Sequence, residues 1–318
     1  MNIKFLDAYS LNPGDLSWEN LEKLGQFTPY NIGPGDDIVT HSADADVLIV
    51  NKVLLTADIL KQLPRLRLIC MAATGYDNVD VNAAKALGIP VCNAPGYASQ
   101  AVAQATIALL LEATNHVGSY VQNVRQGEWA KSRDLCMTQR PIIELSGKRA
   151  TVIGYGNIGA AVVSMLRPFG VKLSVVSNRG PEALPDDVEK VTIEEAFAES
   201  DIVSLNCPLS PDNEHFVDSR LLAHTKRGLI LVNTARGGLI DEEAVAAALK
   251  NGILGAYMAD VLSVEPPAAD HLLIHTPQAF FTPHIAWASA RARMRLLEMI
   301  GENIQAWIQG NATHVVNP

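Results

Sequence analysis

A glycine-rich turn near the middle of the chain has the spacing of a dinucleotide-binding site. The turn consists of Gly154, Tyr155, Gly156, Asn157, Ile158 and Gly159. It follows an apolar strand-like run at 150–153 and opens an apolar helical stretch at 160–169, the context that such a turn needs. The first glycine permits a tight turn, the second lets backbone N–H groups approach a pyrophosphate, and the third lets helix and strand pack closely. Because the helix N-terminus would face the phosphate charge, a nucleotide site is favoured over a connection without a ligand.

The residues expected to face the adenosine ribose include no acid. An Asp or Glu about 20 residues after such a turn usually binds the ribose 2′-hydroxyl. Here the predicted second strand ends at Val176 and is followed by Ser177, Asn178 and Arg179. A 2′-phosphate would meet no repulsion there, and the Arg179 guanidinium is a planar, permanently charged donor for it. NADP(H) is therefore predicted ahead of NAD(H), the alternative being that Arg179 points to solvent and either cofactor binds.

Further polar residues come shortly after apolar runs that we predict as strands: Arg236, Asp260, Glu265 and His284. The carboxyl ends of parallel strands form the ligand-binding edge of an open α/β sheet. Each residue alone has an ordinary structural explanation, as a surface charge, a turn residue before two prolines, or a histidine that hydrogen bonds within the fold. Their convergence on one edge, beside a predicted nucleotide site, favours an active site instead.

Short apolar runs alternate with helical patterns along most of the chain, which is typical of parallel α/β architecture. In the first part, strands are predicted at 3–6, 47–50, 66–71 and 89–92, and helices at 57–63 and 81–87. A second set of strands is predicted at 149–153, 171–176, 202–205, 229–232, 256–259 and 279–281. A helix capped by Asp241 is predicted to follow the Arg236 loop.

Two longer predicted helices lie at the boundaries between the predicted domains. Apolar residues recur at helical spacing from Ser99, the predicted N-cap, to Val124. This helix is apolar over much of its surface, so we expect it to be buried, in part against a second subunit. The last helix, 289–308, is expected to return to the first unit. The predicted domains are 1–100 plus 287–318, which is discontinuous, and 101–286.

The composition is that of a folded globular protein. The 318 residues exceed what one core usually supports, and 48% hydrophobic content with 19% charged residues excludes a disordered chain. A net charge of −9 without any block of Lys and Arg weighs against nucleic acid as a partner. We find no signal peptide, no membrane-spanning run and only scattered cysteines, so a cytoplasmic location is expected. No metal site is expected, since His271 and His275 precede a proline and lack an HExxH pattern.

The sequence resembles the D-isomer-specific 2-hydroxyacid dehydrogenase family over essentially its whole length. The matching stretches, in order, are "ATGYDNVDVNAAKALGIPVCNAPGYAS", "GYGNIG", "NTARGGLIDEEAV", "DVLSVEPP" and "TPHIAW". Several independent motifs in the right order make this match specific. Two further stretches, "PVCNAPGYASQAVAQ" and "HIAWAS", are most similar to the glycerate dehydrogenase (hydroxypyruvate reductase) branch.

The resemblance assigns roles to residues of this chain. It implies that Arg236, Glu265 and His284 are catalytic and that Asp260 lies on the nicotinamide side. It also implies that the backbone at Thr74 and Gly75 holds the substrate carboxylate, with Arg236 and His284 contacting the same substrate. Besides the glycine turn and the three ribose-side residues, the predicted cofactor site includes Cys207, Pro208, Thr234, Ala235, Arg236, Asp260 and His284.

The resemblance further implies a fold and an activity. The expected fold has two Rossmann-like or flavodoxin-like domains with parallel sheets, an active site in the cleft between them, and a homodimer built on the 99–124 helix and the 125–141 arm. In it, 1–100 plus 287–318 would bind substrate and 101–286 the dinucleotide. The expected enzyme is an NAD(P)-dependent oxidoreductase that transfers hydride to C2 of a small 2-keto acid such as hydroxypyruvate or glyoxylate. The alternatives are a D-lactate-type dehydrogenase and a nucleotide-responsive, corepressor-like binding module.

Overall fold

The computed structural model describes residues 1–33 and 36–318. The chain divides into two units, one formed by Met1–Ala98 with Ala288–Pro318 and the other by Ser99–Trp287. Each unit has its own parallel sheet covered by helices, so the predicted class of two parallel-sheet α/β domains is confirmed. The assignment of substrate to one unit and nucleotide to the other stays a prediction.

The first unit is built on a five-stranded sheet of order β2-β1-β3-β4-β5. Its strands are β1 (Asn2–Phe5), β2 (Gln26–Pro29), β3 (Val47–Val50), β4 (Leu68–Met71) and β5 (Val91–Cys92). Every adjacent pair is parallel. The central strands β3 and β4 are wholly buried, as expected for apolar runs covered on both faces.

The helices of the first unit are short except the last one. They are α1 (Glu19–Glu22), α2 (Ile38–Ser42), α3 (Ala57–Lys61), α4 (Val81–Ala86) and α11 (Ala290–Ile308), with a 3₁₀ turn at Ala8–Ser10. The helix α11 packs on β4 and carries Arg293, whose guanidinium binds the Asp15 carboxylate through two contacts of 2.7 Å. The last segment of the chain is thereby part of the first unit.

The second unit is built on a seven-stranded sheet of order β12-β11-β10-β9-β6-β7-β8. Its strands are β6 (Arg149–Ile153), β7 (Lys172–Val176), β8 (Val188–Lys190), β9 (Ile202–Leu205), β10 (Leu229–Asn233), β11 (Leu254–Ala259) and β12 (Ala279–Phe281). All neighbouring strands are parallel. The loops after β10, β11 and β12 therefore leave from one edge of the sheet, as do those after β6 and β7.

The helices of the second unit cover both faces of this sheet, and two apolar clusters fill the space between the layers. They are α5 (Ser99–Asn115), α6 (Val117–Arg125), α7 (Asn157–Leu166), α8 (Ile193–Glu199), α9 (Ser219–Ala223) and α10 (Glu242–Lys250). Short 3₁₀ turns lie at Trp129–Lys131, Arg167–Phe169, Pro181–Ala183 and Gly237–Leu239. As predicted, Asp241 caps α10, its side chain accepting the backbone N–H of Ala244.

The helix predicted from Ser99 to Val124 is in fact two helices. His116 separates α5 from α6 with a φ of 53°, a left-handed conformation through which an α-helix does not continue. Ser99 is the first residue of α5, so the N-cap prediction is also wrong. The predicted burial holds for α5, whereas α6 has no buried residue.

Two edge strands were not predicted, because neither has a continuous apolar run. Only one residue of β8 is buried, and none of β2. Within residues 1–33 and 36–318, no helix combines the length and apolar character needed to span a membrane. The same ranges contain no cluster of three or more His, Cys, Asp or Glu side chains arranged to hold a metal ion.

Candidate active site

The glycine turn connects β6 to α7, and its first and last glycines are required by close backbone contacts. Gly154 has a φ of 96°, and a Cβ there would lie 2.7 Å from the backbone of Asn206 and Cys207. A Cβ on Gly159 would overlap the carbonyl oxygen of Gly154. Any side chain at either position would therefore push the helix or the neighbouring loop away from the strand.

Gly156 has a different environment. It is the N-cap of α7, and no described atom lies within 4 Å of the position that its Cβ would take. Asn157 begins the helix, while Tyr155 and Ile158 are partly buried against the core of the unit. The first N–H groups of α7 lie next to this open glycine, an arrangement that fits the pyrophosphate of a dinucleotide.

The loop after β7 carries the three residues predicted to face the ribose. Ser177 Oγ accepts the backbone N–H of Arg179 at 3.1 Å, which bends the chain directly after the strand. Asn178 and Arg179 are exposed. The Arg179 guanidinium lies 5.9 Å from the centre of the Tyr155 ring, so the cation and the glycine turn are close neighbours.

Cys207 and Pro208 follow β9, and Thr234 and Ala235 follow β10. Partial burial raises the pKa of the Cys207 thiol, so it remains protonated at neutral pH. Thr234 Oγ1 lies 2.8 Å from the hydroxyl of Thr106 on α5, which connects this loop to the long helix. Both loops leave the carboxyl edge of the sheet that also bears the glycine turn, β9 being next to β6 and β10 next to β9, which is consistent with the predicted nucleotide contacts.

The loop that carries Arg236 is held by Asn233, a buried residue that sequence reasoning missed. Asn233 Oδ1 accepts the N–H of Ala235 at 3.0 Å, and its Nδ2 donates to the carbonyl oxygen of Arg236 at 2.9 Å. The same amide donates to the Tyr257 hydroxyl at 3.2 Å. The available signal was an Asn at the end of an apolar strand, a residue type that forms such turns with its own backbone.

Asp260 holds the loop that carries His284. Its buried carboxylate accepts the backbone N–H groups of Ile285 at 2.9 Å and Ala286 at 2.8 Å, and the Thr282 hydroxyl at 2.5 Å. The backbone N–H of His284 also donates to the Asp260 carbonyl at 2.9 Å. Through these contacts Asp260 fixes the backbone on either side of His284.

His284 and Glu265 form a partly buried pair. His284 Nδ1 lies 2.5 Å from Glu265 Oε2, and Glu265 Oε1 accepts the N–H of Leu262 at 3.0 Å. His284 has a φ of 54°, a left-handed conformation that is rare for a residue with a side chain and recurs at functional positions. Because the carboxylate engages Nδ1, Nε2 is the ring nitrogen that could exchange a proton with a bound molecule.

Thr74 and Gly75 lie in the first unit, in the loop after β4. Thr74 Oγ1 donates to the carbonyl of Ala94 at 2.9 Å, and Asn93 Nδ2 donates to the carbonyl of Thr74 at 2.8 Å. This loop is thus fixed within its own unit. The structure brings Arg236, Glu265 and His284 to one sheet edge of the second unit. That Thr74 and Gly75 bind the same substrate stays a prediction.

Comparison with known proteins gives a consistent result. The family model of the D-isomer specific 2-hydroxyacid dehydrogenase NAD binding domain matches residues 107–286. The chain is 38% identical to a hydroxypyruvate reductase of Blautia hydrogenotrophica over 100% of both chains. It is 37% identical to a glycerate dehydrogenase of Methylorubrum extorquens, over 99% of this chain and 98% of that relative. A solved acyclic imino acid reductase in complex with NADPH and D-Arg is similar with a TM-score of 0.86 and 28% identity, covering 99% of this chain and 100% of that one.

Proposed function

The chain belongs to the D-isomer-specific 2-hydroxyacid dehydrogenase family, and from this premise we propose that it reduces hydroxypyruvate or glyoxylate with NADPH. The family and enzyme class predicted from the motifs are confirmed: it is a nicotinamide-dependent oxidoreductase of D-2-hydroxy acids. The observation that carries the proposal is the His284–Glu265 pair on the sheet edge that also bears the glycine turn. Relatives named hydroxypyruvate reductase, glycerate dehydrogenase and glyoxylate reductase support these substrates.

Each catalytic residue has a separate part in the reduction. A nicotinamide cofactor, when bound, would supply the hydride for C2 of the keto acid. His284 donates a proton to the carbonyl oxygen as negative charge develops there, and takes it back during oxidation. Glu265 holds the imidazole ring in one orientation and tautomer. The Arg236 guanidinium binds the substrate carboxylate and polarises the carbonyl, for which its planar fork is suited.

Two further assignments complete the proposed reaction. The backbone N–H groups at Thr74 and Gly75 bind the remaining carboxylate oxygen, as the family resemblance implies. The preference for NADPH is supported by Ser177, Asn178 and Arg179, which offer a hydroxyl, an amide and a guanidinium where an acid would repel a 2′-phosphate.

We also propose that the working molecule is a homodimer. The helix α6 exposes Val117, Val121 and Val124, three valines at helical spacing on one face. Trp129 and Leu135 in the following arm are exposed as well. An apolar face of this kind is costly in water, and a second copy of the chain would cover it in a closed, symmetric interface.

The direct test is a steady-state assay with hydroxypyruvate, following loss of NADPH and, separately, of NADH. Rapid oxidation of NADPH with much slower oxidation of NADH is expected. Equal rates would contradict the cofactor preference alone. Reduction of pyruvate in place of hydroxypyruvate would favour the D-lactate-type alternative, and nucleotide binding without turnover on any keto acid would favour the binding module.

His284→Ala tests the assignment of the proton donor. Turnover should fall by about 10² to 10⁴, the usual contribution of general acid–base catalysis. Binding of NADPH, measured by quenching of protein fluorescence, should stay close to that of the wild type. Turnover close to that of the wild type would refute the assignment.

A further inference from the structure

The strand β8 brings a second cation to the loop that follows β7. The two strands are parallel neighbours, with Val175 in register with Lys190. Lys190 is the last residue of β8, and Ser177 directly follows the last residue of β7. Both strands end at the carboxyl edge of the sheet, so the end of β8 lies beside the loop predicted to face the ribose.

Lys190 makes a direct contact with that loop. Its Nζ donates a hydrogen bond of 2.7 Å to the backbone carbonyl of Arg179. Arg179 in turn donates its N–H to Ser177 Oγ and holds its guanidinium near the Tyr155 ring. An ammonium group has three N–H donors, and the carbonyl takes one of them.

The acidic residues nearest in sequence do not cancel these two cations. Glu189, the neighbour of Lys190, receives a bond of 2.7 Å from the guanidinium of Arg149. The Glu182 carboxylate folds back over the end of the ribose-side loop. Glu189 is thus engaged by Arg149, and the two cations Arg179 and Lys190 suit an added phosphate better than an uncharged ribose hydroxyl.

We propose that Lys190 is a specificity-determining residue for the cofactor, binding the 2′-phosphate of NADP(H) together with Arg179. This rests on the proposed preference for NADPH and extends it to a residue outside the motif. The contact with the Arg179 carbonyl holds the ammonium against the backbone of the residue that carries the guanidinium, so both cations belong to the loop predicted to face the ribose. Lys190 is hidden from motif analysis because it lies 11 residues beyond Arg179, in a strand without an apolar run.

The competing explanation is that Lys190 only anchors the loop. A loop anchor would affect NADPH and NADH alike, whereas a phosphate ligand affects NADPH alone. The test is to measure kcat/KM for both cofactors in the wild type, in Lys190→Met and in Lys190→Arg. The matched control is Lys172→Met, an exposed lysine at the opposite end of β7.

The expected result is a fall of about tenfold in the NADPH-to-NADH ratio of kcat/KM for Lys190→Met, which is the loss of one charge-assisted hydrogen bond. The change should lie in KM for NADPH, with the NADH constants unchanged. Lys190→Arg should keep most of the ratio, and Lys172→Met should keep all of it.

Calorimetric binding provides a readout that does not depend on turnover. Adenosine 2′,5′-bisphosphate should bind the wild type more tightly than 5′-AMP does. In Lys190→Met the ratio of the two dissociation constants should be about tenfold smaller than in the wild type. If the wild type prefers NADPH, two results for Lys190→Met would overturn the proposal for Lys190. One is an equal loss of kcat/KM with both cofactors, and the other is an NADPH-to-NADH ratio equal to that of the wild type. A wild type without any preference for NADPH or for the bisphosphate would instead refute the proposed cofactor preference, before any variant is made.

Discussion

At the scale of single residues, the buried side chain of Asn233 fixes the backbone of the loop that carries Arg236. Asn233 is fully buried and bonds at once to Ala235, Arg236 and the hydroxyl of Tyr257. Burial raises the pKa of that hydroxyl far above its usual value, so it stays protonated and neutral. A small movement of the loop would displace the guanidinium from its proposed place on the substrate carboxylate, and displacements of about 1 Å cost up to about 10² in rate.

Asn233→Ala should therefore lower kcat/KM for the keto acid by about tenfold to a hundredfold. It should also lower the free energy of unfolding by about 1–3 kcal/mol, because buried groups lose their partners. Tyr257→Phe removes only the 3.2 Å bond and is the matched control. Urea denaturation with steady-state kinetics separates the two effects, since Tyr257→Phe should change stability and leave kcat/KM close to the wild type. Unchanged kcat/KM in Asn233→Ala would mean that Asn233 is structural only.

The difference between Arg236 and Asn233 shows what sequence could predict of the site. Arg236, Glu265 and His284 each follow a predicted strand, and their convergence on one sheet edge, together with the family resemblance, predicts their catalytic roles. Asn233 is the last residue of a buried apolar strand, and its type favours a turn there, but only the folded loop reveals which bonds its amide makes. The supporting role of Asp260 was hidden for the same reason, since its partners come from a loop more than twenty residues away.

At the scale of elements, the break at His116 turns one predicted helix into two with different surroundings. The helix α5 buries residues such as Val102, Ala103 and Leu110, whereas α6 leaves its valines exposed. Apolar spacing continues across the break, and a left-handed residue gives no signal in a hydrophobic pattern. The wholly apolar strand β3 was predicted with its observed bounds, whereas the edge strands β2 and β8, which lack an apolar run, were missed.

Val121→Glu should shift the protein towards the monomer, because it places a charge on the proposed interface formed by α6. Sedimentation velocity over a concentration series gives the measurement. Gln122→Glu, an exposed position on the same helix outside the valine face, should leave the dimer intact. A wild type that is monomeric at all concentrations would refute the proposed homodimer outright.

At the scale of the whole molecule, an ion pair connects the N-terminal part of the first unit to its C-terminal helix. Arg293 on α11 is buried, and it donates to the Leu11 carbonyl as well as to both carboxylate oxygens of Asp15. The hydrogen bonds and charge of Arg293 lower the pKa of Asp15 from its usual 3.8. A carboxyl group with a lowered pKa stabilises the fold at neutral pH, and this contribution is lost as the pH falls through the lowered pKa.

Asp15→Asn should therefore lower the thermal midpoint at neutral pH, and the difference from the wild type should shrink as the pH falls below 3.8. Asp58→Asn is the control, because Asp58 belongs to an exposed pair with Lys61 at 3.1 Å that should contribute almost nothing. Thermal denaturation followed by circular dichroism across a pH series measures both. A difference for Asp15→Asn that stays constant down to the lowest pH would contradict the assigned cause.

The division of the first unit between the two ends of the chain has a consequence for its synthesis. Residues 288–318 leave the ribosome only after the whole of Ser99–Trp287 has been made. Until then β4 lacks the cover of α11, so newly made 1–98 presents apolar surface to the cell while the second unit can already fold. Chains released from the ribosome that end at residue 287 should therefore hold a protease-resistant second unit beside a first unit that still binds chaperones.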